Sequence, residues 1–169
     1  MTSEFKNAVT RKIADFLAEI GIEVLPVSIN TKTFLPGILV ENGRILVDET
    51  RLTYPGDLLH EAGHLAMAPS DLRPSLSGEV ALPDVWMEPV EVQTIAWSYA
   101  AIIYLGLDSK VVFHEGGYGV VSERLLSNFS LGVYIGVNGL QDAGLTVIGQ
   151  KATELGLPPY PHMLKWLRD

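Results

Sequence analysis

The sequence predicts an α+β fold made of several helices and one small sheet, and three observations lead to this prediction. Apolar residues recur at three- and four-residue spacing over residues 3–20, which indicates an amphipathic helix. Two short apolar runs flank an Asn-Gly pair at positions 42–43, the dipeptide that most strongly favours a β-hairpin. Two further helical patterns follow, one ending before Pro69 and one running from residue 89 to about residue 105.

The first third of the chain predicts one helix followed by a sheet. Ser3 is a suitable N-cap for the helix, and Gly21 directly follows its end. Residues 22–29 alternate between apolar and polar side chains and predict a strand, and residues 37–41 and 44–48 predict the two hairpin strands. We therefore expect a short mixed or antiparallel sheet that packs on the two central helices.

The last third predicts additional C-terminal helices. The predicted segments are a glycine-rich loop at residues 111–119, helices at 122–135 and 146–155, and a short terminal helix after Pro161 that includes residues 163–167. No internal repeat or linker composition separates these elements, so residues 1–169 are predicted to form a single domain.

Composition excludes several classes of protein. The chain has no cysteine, which excludes disulfides and thiolate metal sites. Its net charge of -8 argues against nucleic acid as a partner, because phosphates attract basic surfaces. The longest apolar run, residues 94–107, is interrupted by Ser98 and is too short to cross a bilayer. Residues 1–6 lack the pattern of a secretory signal, so we expect a cytoplasmic protein without membrane attachment.

One motif in the chain indicates chemistry rather than packing. His60 and His64 are four residues apart on a predicted helix, so both imidazoles lie on one face and can bind the same metal ion. Glu61 lies about 100° round the helix and can reach a water on that ion without being a ligand. The alternative interpretation is a helix that carries two surface histidines.

The third metal ligand has to come from another part of the chain. Positions 67 and 70 are Met and Ser, which argues against the HExxHxxGxxH pattern of metzincins, and His114 and His162 lie far along the sequence. A carboxylate is the better candidate, and both Glu88 and Glu91 stand at the start of the next predicted helix. We favour Glu91 because a ligand inside a helix is held more rigidly, although acidic residues also stabilise helix N-termini.

These motifs together resemble a known family. A strand ending at Asp48, the His60–His64 helix, a loop and a helix that opens with Glu91 are similar to compact gluzincin-type metallopeptidases, including minigluzincins and the ImmA/IrrE-type peptidase domain. The resemblance covers about residues 38–107 and implies a small zincin-like domain. It implies that His60, His64 and Glu91 bind zinc and that Glu61 is the general base.

The second helix departs from the family pattern at two positions. The family often continues Glu-x-x-Ala-x-x-Phe after the ligand, whereas this chain has Thr94 and Trp97 at those two places. The Asp that larger gluzincins place four residues after the ligand is Ile95 here. The resemblance therefore implies metal binding more directly than it implies efficient catalysis.

The predicted function is that of a zinc-dependent peptidase-like hydrolase acting on a peptide or protein substrate. A metal-activated water attacks a peptide carbonyl, and Glu61 accepts its proton. His114 and Tyr118 are candidates for stabilising the oxyanion, because their glycine-rich loop could fold over the cleft. Two alternatives remain open: a zinc-binding regulatory or protein-binding module with little or no activity, and a zinc hydrolase of a non-peptide amide.

Overall fold

The computed structural model describes residues 4–78 and 89–169 of the chain, and these segments form an α+β fold. They contain seven α-helices and a three-stranded mixed sheet. The elements are α1 (Ala8–Ile20), β1 (Val24–Pro26), β2 (Ile38–Glu41), β3 (Arg44–Val47), α2 (Asp57–Met67), α3 (Pro89–Leu105), α4 (Glu115–Tyr118), α5 (Ser122–Ser130), α6 (Val137–Asp142) and α7 (Gly149–Leu155).

The sheet has the order β1-β3-β2, with β3 in the centre. β3 pairs parallel to β1 and antiparallel to β2, which makes β2 an edge strand. Asn42 and Gly43 connect β2 to β3 with φ angles of 51° and 71°. Two positive φ angles are what a two-residue hairpin turn of the type I′ class requires, so the predicted hairpin is confirmed.

α1 begins four residues later than the apolar pattern alone suggests. Its N-cap is Asn7, whose side chain accepts hydrogen bonds from the backbone N–H groups of Val9 and Thr10. The predicted cap, Ser3, lies outside the described residues. Gly21 ends the helix with a φ of 98°, as predicted, because a residue without Cβ adopts the left-handed conformation at low cost.

α2 and α3 pack closely against each other, and a glycine makes this possible. A Cβ atom at Gly63 would lie 2.8 Å from Thr94 Cγ2, a distance that real structures do not tolerate. The hydroxyl of Ser98, one turn further along α3, lies 3.2 Å from the carbonyl oxygen of Leu59 on α2. The close approach fixes the first turn of α3 beside the histidines of α2.

The C-terminal third differs from the predicted helices at several points. α5 ends at Ser130 rather than at residue 135, and Gly132 follows it with a φ of 77°. α6 was not predicted; Gly136 before it packs so closely on α3 that a Cβ would lie 1.9 Å from the carbonyl oxygen of Val92. α7 begins at Gly149, three residues after the predicted start.

The predicted terminal helix at residues 163–167 is wrong, because these residues form bends and irregular structure. Tertiary contacts hold the segment in place instead. The indole N–H of Trp97 donates to the carbonyl oxygen of Trp166, and the N–H of Leu164 donates to the carbonyl oxygen of Leu145. The ring of Trp166 also meets that of Phe16 edge-on, with the ring centres 5.0 Å apart.

Across residues 4–78 and 89–169, none of the helices has both the length and the apolar character needed to span a bilayer.

Candidate metal centre

α2 places three polar side chains at a point where the helix is otherwise packed in the core. His60 and His64 follow each other by one helical turn, with their ring centres 4.8 Å apart. The His64 residue is only 4% exposed and Glu61 is 7% exposed. Polar side chains buried to this degree need hydrogen-bond or metal partners, and the neighbouring residues show which partners are present.

Glu91 in the first turn of α3 completes the cluster. Its Oε1 lies 3.1 Å from His60 Nε2, and its Oε2 lies 3.3 Å from His64 Nε2. The two Nε2 atoms are themselves 3.2 Å apart. His60, His64 and Glu91 thus present three converging ligand atoms, all within 4.8 Å of one another, and this group could hold a metal ion.

Hydrogen bonds alone do not account for all three contacts. A single imidazole nitrogen carries at most one proton, yet His64 Nε2 faces both His60 Nε2 and a carboxylate oxygen of Glu91. One of these approaches is therefore left without a hydrogen. A cation between the three atoms would satisfy every lone pair that points inward.

The remaining ring nitrogen of His64 has a partner on α3. Its Nδ1 lies 3.3 Å from the hydroxyl oxygen of Thr94, and both residues are buried. If Nδ1 carries the hydrogen and donates to Thr94, Nε2 keeps its lone pair for a metal ion. Thr94 thus occupies a supporting position, one turn after Glu91 on the same helix. The neighbouring Ile95 is 6% exposed and belongs to the core.

Charge within the cluster shifts the pKa values of two of the three groups in opposite directions. Burial tends to lower the pKa of His60, but the hydrogen bond with Glu91 and the charges of Glu91, Glu61 and Asp57 together outweigh it and hold this pKa above its ordinary value. Burial tends to raise the pKa of Glu91, but its contacts with His60 and His64 hold it far below its ordinary value. Without a metal ion, the cluster therefore favours an ionised Glu91.

Glu61 has a different environment from Glu91. Burial raises its pKa above the ordinary value, and the neighbouring histidines oppose this only in part. Its side chain lines a cavity of about 220 Å³ between the edge strand β2 and residues 32–35. Glu61 is thus a buried carboxylate beside the candidate metal ligands, with access to a space that a second molecule could enter.

The structure places His114 in a second cluster at the start of α2. Its Nε2 atom lies 2.6 Å from Asp57 Oδ1, as in a hydrogen bond donated by the imidazole. The ring of Tyr54 stacks on His114 with the ring centres 3.7 Å apart. Burial raises the pKa of Asp57, and the contact with His114 opposes this shift. Nε2 of His114 is therefore engaged by Asp57, whereas its buried Nδ1 has no hydrogen-bond partner among the residues that the structure describes.

Two predicted site residues cannot be placed in the same way. Glu88, the alternative third ligand, lies outside the described residues, and the side chain of Tyr118 is likewise not described. His162 lies in the C-terminal segment, where its carbonyl oxygen accepts a hydrogen bond from Thr146. Of the predicted residues, the structure thus brings His60, His64 and Glu91 together and leaves His114 in a separate contact.

Two residues near the site were not assigned a role from the sequence. Asp57 lies three residues before His60 and so shares its helix face, a spacing that could have pointed to it. Thr94 lies three residues after Glu91 on α3, and the same spacing places its hydroxyl on the side facing α2. From the sequence, Thr94 stands out only because the family pattern has an alanine at this position.

Comparisons with protein-family models, with curated proteins and with solved structures find no match for this chain.

Proposed function

We propose that this protein is a zinc-dependent peptidase-like hydrolase with a compact, gluzincin-type arrangement of two ligand-bearing helices. The observation that carries the proposal is the spacing of the three candidate ligands. Donor atoms around a tetrahedral zinc ion, each at about 2.0–2.1 Å, lie about 3.3 Å apart. The contacts between His60, His64 and Glu91 measure 3.1, 3.2 and 3.3 Å.

The chemistry of the donor set also favours zinc. Two imidazoles and one carboxylate are a ligand set of catalytic zinc sites, which use three protein ligands and leave one position open. The hydroxyl of Thr94 supports His64 from behind, as outer partners of zinc-binding histidines commonly do. The chain has no cysteine, so a fully thiolate structural site is excluded.

In the proposed reaction, Glu61 acts as the general base. A bound zinc ion would supply a Lewis acid for the substrate carbonyl and would make a water molecule more acidic. Glu61 accepts the proton of the attacking water and passes it to the amine that leaves when the peptide bond breaks. In the metal-free protein, burial holds the pKa of Glu61 above its ordinary value.

The position of Glu61 favours an enzyme over a binding module. A structural metal site needs no carboxylate beside its ligands, and an unused buried carboxylate costs stability. Glu61 nevertheless lines a cavity next to the cluster rather than packing against apolar atoms alone. This arrangement gives a substrate access to the base.

The test is a comparison of wild type with Glu61→Gln. We expect purified wild type to hold about one zinc ion per chain, measured by mass spectrometry of the metal content, and to cleave members of a peptide library. Glu61→Gln should keep its zinc and lose at least about a thousandfold in kcat/KM, because the base is removed while the ligands stay. The matched control is Glu123→Gln, which changes an exposed carboxylate on α5 and should behave as wild type.

Two other outcomes have defined meanings. A wild type that takes up no zinc from a buffered solution would reject the proposal as a whole. A wild type that binds zinc but cleaves no peptide would favour a regulatory or protein-binding module, or a hydrolase of non-peptide amides. Screening simple amides would separate these two alternatives.

A further inference from the structure

The cavity beside Glu61 has walls of a distinct chemical character. Its volume is about 220 Å³, and its lining consists mainly of apolar groups from residues 34–35 and from Ile38 and Val40 of β2. The lining also contains the polar residues Lys32, Thr33 and Glu61, and Glu61 is the acidic one. Pockets for whole small molecules are usually about 300–1,000 Å³, so this cavity has the size for one large side chain.

The loop that forms one wall is anchored from behind by charged side chains. The carboxylate of Asp48 accepts the N–H of Ile29 at 2.9 Å, and its contacts with Thr50 and Ile29 lower its pKa. The guanidinium of Arg51 donates to the carbonyl oxygens of Ile29 and Thr31. These bonds hold the backbone that leads into residues 32–35, so the wall is fixed before any ligand enters.

Phe34 is the residue in this wall whose exposure has no explanation in the fold. It is 67% exposed, although a phenylalanine side chain gains free energy when it leaves water. Leu35, by contrast, packs against the core. An exposed aromatic ring at the mouth of an apolar cavity is well placed to contact a ligand that enters the cavity.

We propose that this cavity binds a large apolar side chain of the peptide residue adjacent to the bond that Glu61 helps to cleave, and that Phe34 and Leu35 determine this specificity. The inference rests on the proposed function, because it assigns the substrate class of the same site. The geometry limits the choice, since Glu61 lies on the cavity wall and the occupant therefore borders the reacting carbonyl. Leucine and phenylalanine fit the volume and the lining.

The first experiment measures kcat/KM for peptides that differ only in the residue whose side chain is proposed to enter the cavity, next to the cleaved bond. Wild type should prefer leucine or phenylalanine over alanine by at least about tenfold, because even one methylene in an apolar pocket changes kcat/KM by roughly 10- to 200-fold. Phe34→Ala should reduce this preference severalfold, mainly through a lower kcat/KM for the leucine and phenylalanine peptides, because part of the apolar wall is lost. Leu131→Ala is the control, since Leu131 is 76% exposed and does not line the cavity.

The second experiment does not depend on catalysis. Binding of N-acetylphenylalaninamide to the zinc-loaded protein is followed by NMR of the methyl groups of Leu35, Ile38 and Val40. We expect saturable shifts in wild type and none in Leu35→Trp, which fills the cavity; an unchanged thermal midpoint and zinc content would show that this variant is folded.

The outcomes separate the inference from the proposed function. Cleavage without any preference for apolar residues overturns the inference and leaves the function standing. Shifts of the cavity methyl groups in a protein that cleaves no peptide support the cavity and reject the peptidase. If the protein shows no cleavage and no shifts of the cavity methyl groups, both the inference and the proposed function are rejected.

Discussion

Two clusters of histidine and carboxylate each include side chains of α2, and they have different geometry. In the first, His60 and His64 meet Glu91 from α3 at 3.1 and 3.3 Å. In the second, near the start of α2, His114 meets Asp57 at 2.6 Å. Both clusters combine imidazole with carboxylate, so the presence of these two chemical groups does not by itself distinguish them.

The difference lies in the number of groups that converge. One donor and one acceptor satisfy each other in the pair of His114 and Asp57, and the ring of Tyr54 covers the imidazole. Within residues 4–78 and 89–169, the cluster of His60, His64 and Glu91 is the group that brings three metal-ligating side chains together. A metal site thus depends on lone pairs that share one point, whereas His114 Nε2 and Asp57 Oδ1 pair with each other without an ion.

The largest expected effect on zinc affinity comes from Glu91, the carboxylate that makes the first cluster a group of three converging side chains. Glu91→Gln removes a charged ligand while keeping the shape of the side chain, so zinc affinity should fall at least about a hundredfold. Competition with a chromophoric chelator measures this change. Asp57→Asn is the matched variant in the second cluster, and its zinc affinity should stay within about twofold of wild type. Equal losses in both variants would contradict the distinction between the clusters.

An intermediate effect on zinc affinity is expected from Thr94, which lies behind the candidate metal ligands. Thr94→Val keeps the volume but removes the hydroxyl near His64 Nδ1, and we expect zinc affinity to fall about tenfold. Thr94→Ser retains the hydroxyl and should recover most of the loss. Nitrogen chemical shifts of the His64 ring provide a second measurement, because a change of tautomer alters them. If the Thr94→Val and Thr94→Ser variants bind zinc equally well, the contact with Thr94 has no role in holding His64.

The smallest effect on zinc affinity is expected in the second cluster, where a substitution should instead lower the free energy of unfolding. His114→Ala leaves the buried Asp57 without its partner, so unfolding free energy should fall by about 1–3 kcal/mol. Urea unfolding of the metal-free protein measures this loss. Zinc affinity of the folded variant should remain at the wild-type value. A His114 variant that is fully stable but loses zinc would move this residue into the metal centre.

Local patterns predicted much of the fold because the forces behind them are local. The Asn-Gly pair required positive φ angles and produced the hairpin between β2 and β3. Apolar spacing, together with Pro89 at its start, predicted α3 with its observed bounds. The same spacing failed after residue 130, where Gly132 turns the chain, and at residues 163–167, where contacts with distant aromatic rings replace a helix.

The sequence by itself determined the two histidines four residues apart and the acid beside them, because one turn of helix fixes their relative positions. It also favoured an acid at the start of the next helix as the third candidate ligand, with Glu91 preferred over Glu88. Only the tertiary structure decided that Glu91 reaches both histidines, since this depends on how closely α3 crosses α2 at Gly63. The separation of His114 from this cluster, and the cavity beside Glu61, likewise arise from packing between segments that are far apart in the chain.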